Sequence, residues 1–376
     1  MAPTFRVIDT GLRSGRENIA FDQALIEGRL ADKIPNTIRF LRFPPTALVG
    51  RHQDLSREIK LEHCRLNGVG IARRITGGAA IFFDEGQLGW ELVFKRGHLN
   101  IGDHGTAAKK ICEAAAYGLS KLGIEAKYRP RNDIEVAGQK ICGTGGFFDG
   151  DVLFYQGTLL IDMNPQDMVA ALNVPQAKLE KRNLDDAAQR VTTLRALMGD
   201  DLPDLETIKT NMLDGFSECL EIDVAEGAVD AAEDRMAQEI HDEEIGRESF
   251  VASIDGQDDQ TGTLSATHTG AGGTVTVFVR LEGPTSNRIR EVLITGDFFV
   301  TPPRVILDLE ASLRGADRDG VGQAVDAFFE KTQVDALTLA TEDIRNVLVE
   351  AVLGGPIRQS LTINMNSSPS RGARFM

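Results

Sequence analysis

The first stretch whose residue types could do chemistry is 73–87, which reads Arg-Arg-Ile-Thr-Gly-Gly-Ala-Ala-Ile-Phe-Phe-Asp-Glu-Gly-Gln. Its adjacent glycines, Gly77 and Gly78, let the backbone approach a ligand and permit positive φ angles. Exposed N–H groups in such a turn form a concave anion site, and Arg73 or Arg74 can add charge-assisted bonds to phosphate or carboxylate. Taken alone, the stretch is explained more simply as a tight β-turn with two surface arginines. It contains neither a P-loop nor a dinucleotide fingerprint.

A second candidate is Lys140, which follows Asn132 and Asp133 across a predicted hairpin. The strands of this hairpin are predicted at 134–136 and 140–142, because the intervening Ala-Gly-Gln is a hairpin signal. A lysine in this place could hold a phosphoryl oxygen, and Asp133 could hold Mg²⁺. Taken alone, Lys140 is an ordinary exposed hairpin lysine.

A third candidate is the strand-like stretch 155–162, Tyr-Gln-Gly-Thr-Leu-Leu-Ile-Asp. Gly157 within it would admit the close approach of another group. The alternative for Gly157 is a β-bulge.

The elements that must position these residues are mixed helices and strands. Apolar spacing predicts helices at 18–28 and 106–122, and Asp54 is a plausible N-cap for a helix ending near Gly68. Short strands are predicted at 38–43, 46–49, 70–76, 80–83, 89–94, 152–155 and 158–161. The expected fold class is therefore α+β.

The pattern changes beyond a polar linker at 255–262. Alternating strands are predicted at 263–268, 274–281 and 289–295, followed by helices at 303–313, 321–330 and 341–352. We therefore predict a catalytic domain at 1–255 and a small α+β accessory domain at 256–376. The accessory domain would end in a mobile tail at 364–376.

Charge and composition exclude some function classes. The 376 residues carry a net charge of −15, and 200–260 alone holds 20 acidic and 3 basic side chains. Binding to nucleic acid needs a basic surface, so we expect that this protein does not bind nucleic acid. No apolar run reaches the roughly 18–20 residues of a membrane span, and the N-terminus has no secretory pattern. The four scattered cysteines fit reduced thiols, so we expect a cytoplasmic protein. We also expect a monomer, and whether 200–260 docks a partner or is a solvated face stays open.

In their order along the chain, these stretches resemble the lipoate–protein ligase A family of the biotin/lipoate ligase superfamily. The first family motif has two arginines, Ser or Thr, Gly-Gly-Gly-Ala, then His-Asp and Gly-Asn, and it resembles 73–87. The second, Asn-Asp, an apolar strand, Gly-x-Lys and Ser-Gly-Ser-Ala, resembles 132–145. The third, His-His-Gly-Thr-Leu-Leu, resembles 155–160. Segments at 45–53, 191–195 and 294–310 are also similar, so the resemblance covers nearly the whole chain.

The resemblance implies a class II biotin/lipoate-ligase-like mixed sheet with packed helices, and an accessory domain that closes over the site. It implies that free lipoate attacks the α-phosphate of MgATP, giving lipoyl-AMP, and that a lysine of a lipoyl domain or a glycine-cleavage-H-like acceptor then takes the acyl group. Lys140 would be the catalytic residue and Asp133 a magnesium ligand. Contacts to ATP and lipoyl-AMP would come from Arg73, Thr76, Gly77, Gly78, Ala79, Ala80, Asn132, Asp133, Gly157 and Thr158. The acyl pocket would include Phe83, His52 and Gly143.

This sequence departs from the family motifs where the family has Gly, His, Asn, Ser and His: at Ala79, Phe83, Gln87, Cys142 and Tyr155. These changes leave open whether lipoate or octanoate is preferred, and which protein accepts it. One alternative is an octanoyl- or lipoyltransferase that uses a cysteine thioester, for which Cys142 would share a strand face with Lys140. Another is a non-catalytic lipoate-binding protein.

Overall fold

The computed structural model describes residues 2–130, 132–173, 190–256, 262–270, 272–334 and 336–353. The strands of its first part are β1 (Thr4–Leu12), β2 (Thr37–Arg42), β3 (Thr46–Val49), β4 (Gly70–Arg73), β5 (Ile81–Phe83), β6 (Gln87–Lys95), β7 (Ala126–Arg129), β8 (Asp133–Val136), β9 (Gln139–Asp149), β10 (Val152–Leu160) and β11 (Asp223–Glu226). Its helices are α1 (Gly15–Leu30), α2 (Leu55–Glu58), α3 (Leu61–Leu66), α4 (His104–Ser120), α5 (Pro165–Ala171), α6 (Leu194–Met198), α7 (Leu205–Leu220), α8 (Ala231–Ile240) and α9 (Glu248–Val251).

Eight of these strands form one mixed sheet in the order β11-β1-β2-β6-β10-β9-β8-β7. Strand β1 is parallel to both of its neighbours, and the remaining pairs are antiparallel. A smaller sheet, β4-β3-β5, lies beside it. The α+β prediction is confirmed.

Two apolar cores hold the helices on the large sheet. Trp90 from β6 and Phe216 from α7 lie in the core beneath α4, with ring centroids 5.4 Å apart. Phe21 from α1 and Phe154 from β10 lie in the core on the α1 side. Because the sheet is covered on both faces, its central strands are almost wholly buried, as the pattern of β6 shows.

Local capping explains where the predicted helices begin. Ser14 and Glu17 form a capping box at the start of α1, and Asp103 accepts the N–H of Thr106 at the start of α4. Asp54 caps α2 as predicted, but the helix does not continue to Gly68. It stops because Ile59 is extended, with φ −122° and ψ 136°, and forms a β-bridge with Leu172.

The hairpin around Lys140 is present and its turn is tighter than predicted. Ala137 and Gly138 form a two-residue loop with φ of 52° and 83°, as a type I′ turn requires. Strand β10 is one continuous strand, paired residue by residue with β6 and β9 from Val152 to Leu159. Gly157 is therefore not a bulge.

The second part of the chain, described at 262–270, 272–334 and 336–353 and called the accessory part below, has its own core. Strands β12 (Leu264–Gly270), β13 (Gly273–Glu282) and β14 (Arg288–Gly296) form an antiparallel sheet, and β15 (Val300–Thr301) pairs with β16 (Ala336–Leu337). Helices α10 (Val305–Ser312), α11 (Val321–Lys331) and α12 (Thr341–Leu353) contribute to the apolar core of this part. The predicted mobile tail at 364–376 lies outside the described residues, and so do residues 257–261 of the predicted linker. Among the described helices, none has the length and apolarity to cross a membrane.

Candidate active site

A cavity of about 390 Å³ lies where the large sheet, the small sheet and the glycine turn 76–80 meet. Its apolar lining comes from α1, both sheets and α5: Ile19, Leu41, Phe43, Leu48, Ile81, Phe82, Phe83, Leu160, Met163 and Met168. Its polar lining includes Arg74, Thr76, Gln87, Glu91, Asn132, Lys140, Gln156 and Thr158. An apolar chamber joined to a wall of polar donors suits a ligand with an aliphatic body and an anionic end.

Lys140 reaches this cavity from the start of β9. Its Nζ lies 2.8 Å from Oδ1 of Asp133, and the side chain is 38% exposed. The ammonium lies over Gly143, because a β-carbon added there would be 2.6 Å from Nζ. Gly143 thus provides the space in which the Lys140 side chain lies.

Asn132 is tied to the strand that carries Lys140. Its Nδ2 donates to the Thr144 carbonyl at 2.7 Å, and its own carbonyl accepts the Thr144 N–H at 2.8 Å. Asp133 pairs with Lys140, and the described residues contain no group of three possible metal ligands. A magnesium ion that keeps phosphate and water ligands needs few protein carboxylates. Asp133 therefore fits such an ion only together with a nucleotide.

The glycine turn is held from within the protein by Arg74. This arginine is buried, and its guanidinium donates to the carbonyls of Leu48, Gly77 and Ala79. Gly78 has φ +92°, which a residue with a side chain adopts only with strain. Thr76, Gly77, Gly78, Ala79 and Ala80 all line the cavity.

The structure corrects the expectation that Arg73 contacts the ligand. Arg73 is fully buried and does not line the cavity. Its guanidinium donates to the backbone carbonyls of Gly50, Arg51, Gln53, Val251 and Ile254. Arg73 ends β4 while Arg74 follows it, so the two side chains point in different directions, and Arg74 is the one that reaches the cavity.

The prediction that His52 belongs to the acyl pocket is also corrected, because His52 does not line the cavity. Its ring stacks on Phe298 of the accessory part, with centroids 5.2 Å apart and planes 14° apart. Burial, with Arg51 and Arg73 nearby, lowers the pKa of His52 to about 3. The imidazole is therefore neutral and packs between the two parts of the chain.

Of the remaining predicted residues, Asp133 does not itself line the cavity, whereas the others do, with one difference at Gly157. Phe83 and Gly143 are lining residues, as are Gly157 and Thr158. The ring of Phe83 packs on that of Phe43, with centroids 4.3 Å apart. A β-carbon on Gly157 would overlap the indole of Trp90, so the group that approaches this glycine closely is a core side chain.

A loop of the accessory part reaches the cavity through Asp297 and Phe299. The Phe299 ring lies between two glycines, since added β-carbons would be 2.5 Å from it at Gly78 and 2.9 Å at Gly145. The Phe298 carbonyl accepts the Gly78 N–H at 3.1 Å. The family resemblance matches this segment to the accessory domain, and no local pattern in it predicts a role at the site.

A buried charge cluster underlies the polar wall. Arg39 donates to Asp22 at 2.7 Å and to Glu91 at 3.1 Å, and all three side chains are at most 2% exposed. Burial raises the pKa of Asp22 well above its usual value and raises that of Glu91 as well. The sequence contains no local signal for this cluster, whose members are 17 and 52 residues apart.

The four cysteines all lie in described parts of the chain, and none lines the cavity. Cys142 is buried, and burial raises the pKa of its thiol to about 12. Burial also raises the pKa of Cys112 and Cys64. Cys219 is exposed but belongs to α7, away from the cavity. The described site therefore contains no thiol that is both accessible and easily ionised.

Comparison with known proteins agrees with this geometry. Residues 14–217, more than half of the chain, match the lipoyl protein ligase A/B catalytic domain. The octanoyltransferase LipM of Moorella thermoacetica is 26% identical over 260 residues, which cover 64% of this chain and 94% of that protein. The lipoate-protein ligase LplJ of Bacillus subtilis is 31% identical over 169 residues, which cover 45% of this chain and 50% of that protein.

Solved structures share the fold at lower identity. LipL1 of P. falciparum, in complex with lipoate, has a TM-score of 0.72 and 17% identity, covering 93% of this chain and 100% of that chain. A chain from a study of a bi-partite lipoate protein ligase and its E2 lipoyl domain from Thermoplasma acidophilum has a TM-score of 0.59 and 23% identity, covering 68% and 97%. With a family match over more than half its length, the chain belongs to the lipoyl protein ligase A/B catalytic domain family.

Proposed function

We propose that this protein is an ATP-dependent lipoate–protein ligase, which activates free lipoate or a similar medium-chain acid as an acyl-AMP. The observation that carries the proposal is the position of Lys140. Its ammonium lies beside a cavity that combines an apolar chamber with a glycine turn, and no cysteine lines that cavity. Among solved relatives, one lipoate-protein ligase A is bound with ATP.

In this proposal the apolar chamber holds the acyl chain, and the carboxylate meets the α-phosphate near Lys140. Two anions must approach each other, so a fixed positive charge between them lowers the barrier. A carboxylate oxygen attacks the α-phosphorus and pyrophosphate leaves. Mg²⁺ held with Asp133 would supply further neutralisation of phosphate charge.

The second half-reaction needs a protein acceptor, for which we propose a lipoyl domain or a glycine-cleavage-H-like protein. A lysine amine of the acceptor attacks the acyl carbonyl of the mixed anhydride, forming an amide and releasing AMP. The Thermoplasma acidophilum study includes an E2 lipoyl domain, which supports this class of acceptor.

A second candidate function is an octanoyl- or lipoyltransferase, because several relatives bear the name octanoyltransferase LipM. Thioester chemistry needs a thiol that can ionise in the pocket. The buried Cys142, with a thiol pKa of about 12, meets neither need. We expect Cys142→Ala to keep full ATP-dependent activity; loss of acyl transfer with an intact fold would favour the transferase.

The direct test incubates the protein with ATP, Mg²⁺ and either lipoate or octanoate. We expect mass spectrometry to detect acyl-AMP and a coupled assay to detect pyrophosphate. A parallel reaction supplies an acyl carrier protein loaded with octanoate and omits ATP. Transfer there without acyl-AMP formation would contradict the ligase and support the transferase. Lipoate binding without either product would instead indicate a non-catalytic binding protein.

A further inference from the structure

We propose that, in the ligase reaction proposed above, Tyr155 is a positioning residue. Its buried hydroxyl, acting through Thr144, holds Asn132 and thereby the Asp133–Lys140 pair at the edge of the cavity. The positional part of this inference holds whichever reaction the cavity catalyses, and only the kinetic part depends on the ligase.

Tyr155 lies on β10 but does not line the cavity. Its side chain is fully buried in the core beneath α4, and its hydroxyl is 2.7 Å from Oγ1 of Thr144 on β9. Sγ of Cys112, from α4, lies 3.3 Å from each of these two oxygens. Three polar groups thus meet inside an otherwise apolar core.

The direction of these hydrogen bonds follows from the number of protons. The Thr144 hydroxyl donates to the Asn132 carbonyl at 2.9 Å, and a hydroxyl has only one proton to donate. Tyr155 must therefore be the donor to Thr144. The Cys112 thiol can donate to the Tyr155 oxygen, which completes a chain of bonds that run in the same direction and strengthen one another.

This chain of hydrogen bonds ends on Asn132, the residue immediately before Asp133 of the Asp133–Lys140 pair. The Asn132 carbonyl accepts both the N–H and the hydroxyl of Thr144, and the Asn132 amide donates back to the Thr144 carbonyl. Regular pairing of β8 with β9 begins at the next residue, Asp133. Because Asp133 holds Nζ of Lys140 at 2.8 Å, a shift of Asn132 would move the carboxylate that orients the ammonium.

A core-filling role alone does not account for the tyrosine. A phenylalanine would fill the same apolar space without a hydroxyl that must be satisfied when buried. Burial raises the pKa of Tyr155 well above its usual value, so the hydroxyl remains a donor at any working pH.

The test compares Tyr155→Phe, Thr144→Val and the double variant, with Thr144→Ser as the conservative rescue. Hydrogen exchange is measured by mass spectrometry on peptides that cover 132–146, without substrate, and acyl-AMP formation is measured by pyrophosphate release. We expect faster exchange in these peptides for Tyr155→Phe and Thr144→Val. We also expect kcat of both variants to fall about threefold to tenfold. KM for lipoate should be unchanged in Tyr155→Phe, because Tyr155 does not line the cavity, whereas Thr144 does.

Two further comparisons separate positioning from general weakening. The double variant should lose no more kcat than either single variant, because both break one chain of bonds, and Thr144→Ser should behave as the wild type does. Tyr117→Phe is the matched control, since it removes an exposed hydroxyl that bonds Glu218 at 2.9 Å. It should change neither exchange at 132–146 nor kcat.

Unchanged exchange at 132–146 in Tyr155→Phe would overturn the positional role whether or not the protein is a ligase. Faster exchange with an unchanged kcat would overturn the kinetic role. If the wild type forms no acyl-AMP but the variants exchange faster, the proposed function fails and the positioning of Asn132 stands. Thr144→Val gives the same readouts should Tyr155→Phe fail to fold.

Discussion

At the scale of single residues, the site depends on which neighbour holds each charged group. Lys140 and Lys127 both belong to the strands at this sheet edge, and each has an acidic partner. Lys127 is 67% exposed and pairs with Glu125 in solvent. Lys140 instead lies over Gly143 beside the cavity, so its charge can act on a bound anion.

We predict that Lys140→Ala lowers the rate of acyl-AMP formation by about 10²–10³-fold, the cost of removing one charge-assisted donor. The far-ultraviolet circular dichroism should be unchanged, because the side chain is partly exposed. Lys127→Ala is the matched control and should retain wild-type activity. Equal activity of Lys140→Ala and the wild type would refute the assignment.

At the scale of elements, glycines in β9 and β10 leave space for different side chains on the two faces of the sheet. Gly143 and Gly145 leave room on the cavity side for the Lys140 side chain and for the Phe299 ring. Gly157 leaves room on the core side for the indole of Trp90. An added methyl group therefore meets a flexible chain end at Gly143 and a fixed aromatic ring at Gly157.

We predict that Gly157→Ala mainly reduces stability, whereas Gly143→Ala mainly reduces activity. Gly157→Ala should lower the free energy of unfolding by about 1–3 kcal/mol, because the indole cannot move without repacking the core. Gly143→Ala should displace the ammonium of Lys140 and reduce activity at little cost in stability. Urea unfolding and pyrophosphate release on both variants would check this. Equal destabilisation by the two substitutions would contradict it.

At the scale of the whole molecule, the accessory part closes one side of the cavity. Its contacts with the first part of the chain, here called the catalytic part, include the stack of Phe298 on His52, the Phe298 carbonyl on Gly78 and the Phe299 ring. Glu310 of α10 adds a charged group close to Arg51 of the catalytic part. Its carboxylate also accepts the Ile294 N–H at 2.7 Å.

Glu310 should make the stability of this arrangement depend on pH. Burial raises its pKa from 4.5 to about 7, against the opposing effects of the Ile294 N–H, Arg51 and Arg314. A carboxyl whose folded-state pKa is raised destabilises the folded state progressively as pH rises from about 4.5 to 7, and by a constant amount above that. Glu310→Gln should therefore gain stability relative to the wild type across this window.

The measurement is thermal or urea unfolding of both proteins at pH 5, 6, 7 and 8, compared as differences so that other groups cancel. Asp308→Asn, an exposed carboxyl on the same helix, is the control and should show no such growing difference. If the difference in unfolding free energy between the wild type and Glu310→Gln does not change with pH, the proposed effect of Glu310 is ruled out.

Much of this arrangement could be read from local patterns. Apolar periodicity and capping residues located α1, α4 and the strands of the accessory part, because these signals act within a few residues. The hairpin at Lys140 followed from Ala-Gly, although the turn proved one residue shorter than predicted. The helix after Asp54 was predicted too long, because Ile59 pairs with Leu172, a partner more than a hundred residues away.

The sequence by itself determined many of the elements, among them α1, α4 and the strands of the accessory part, together with the order of the motifs and the candidacy of Lys140. Only the tertiary structure decided which arginine of the pair faces the cavity, that Trp90 fills the space at Gly157, and that Phe299 lies against the glycine turn. The reason is physical. A strand pattern shows that adjacent side chains point to opposite faces, but which face becomes the cavity depends on packing between residues far apart in the chain.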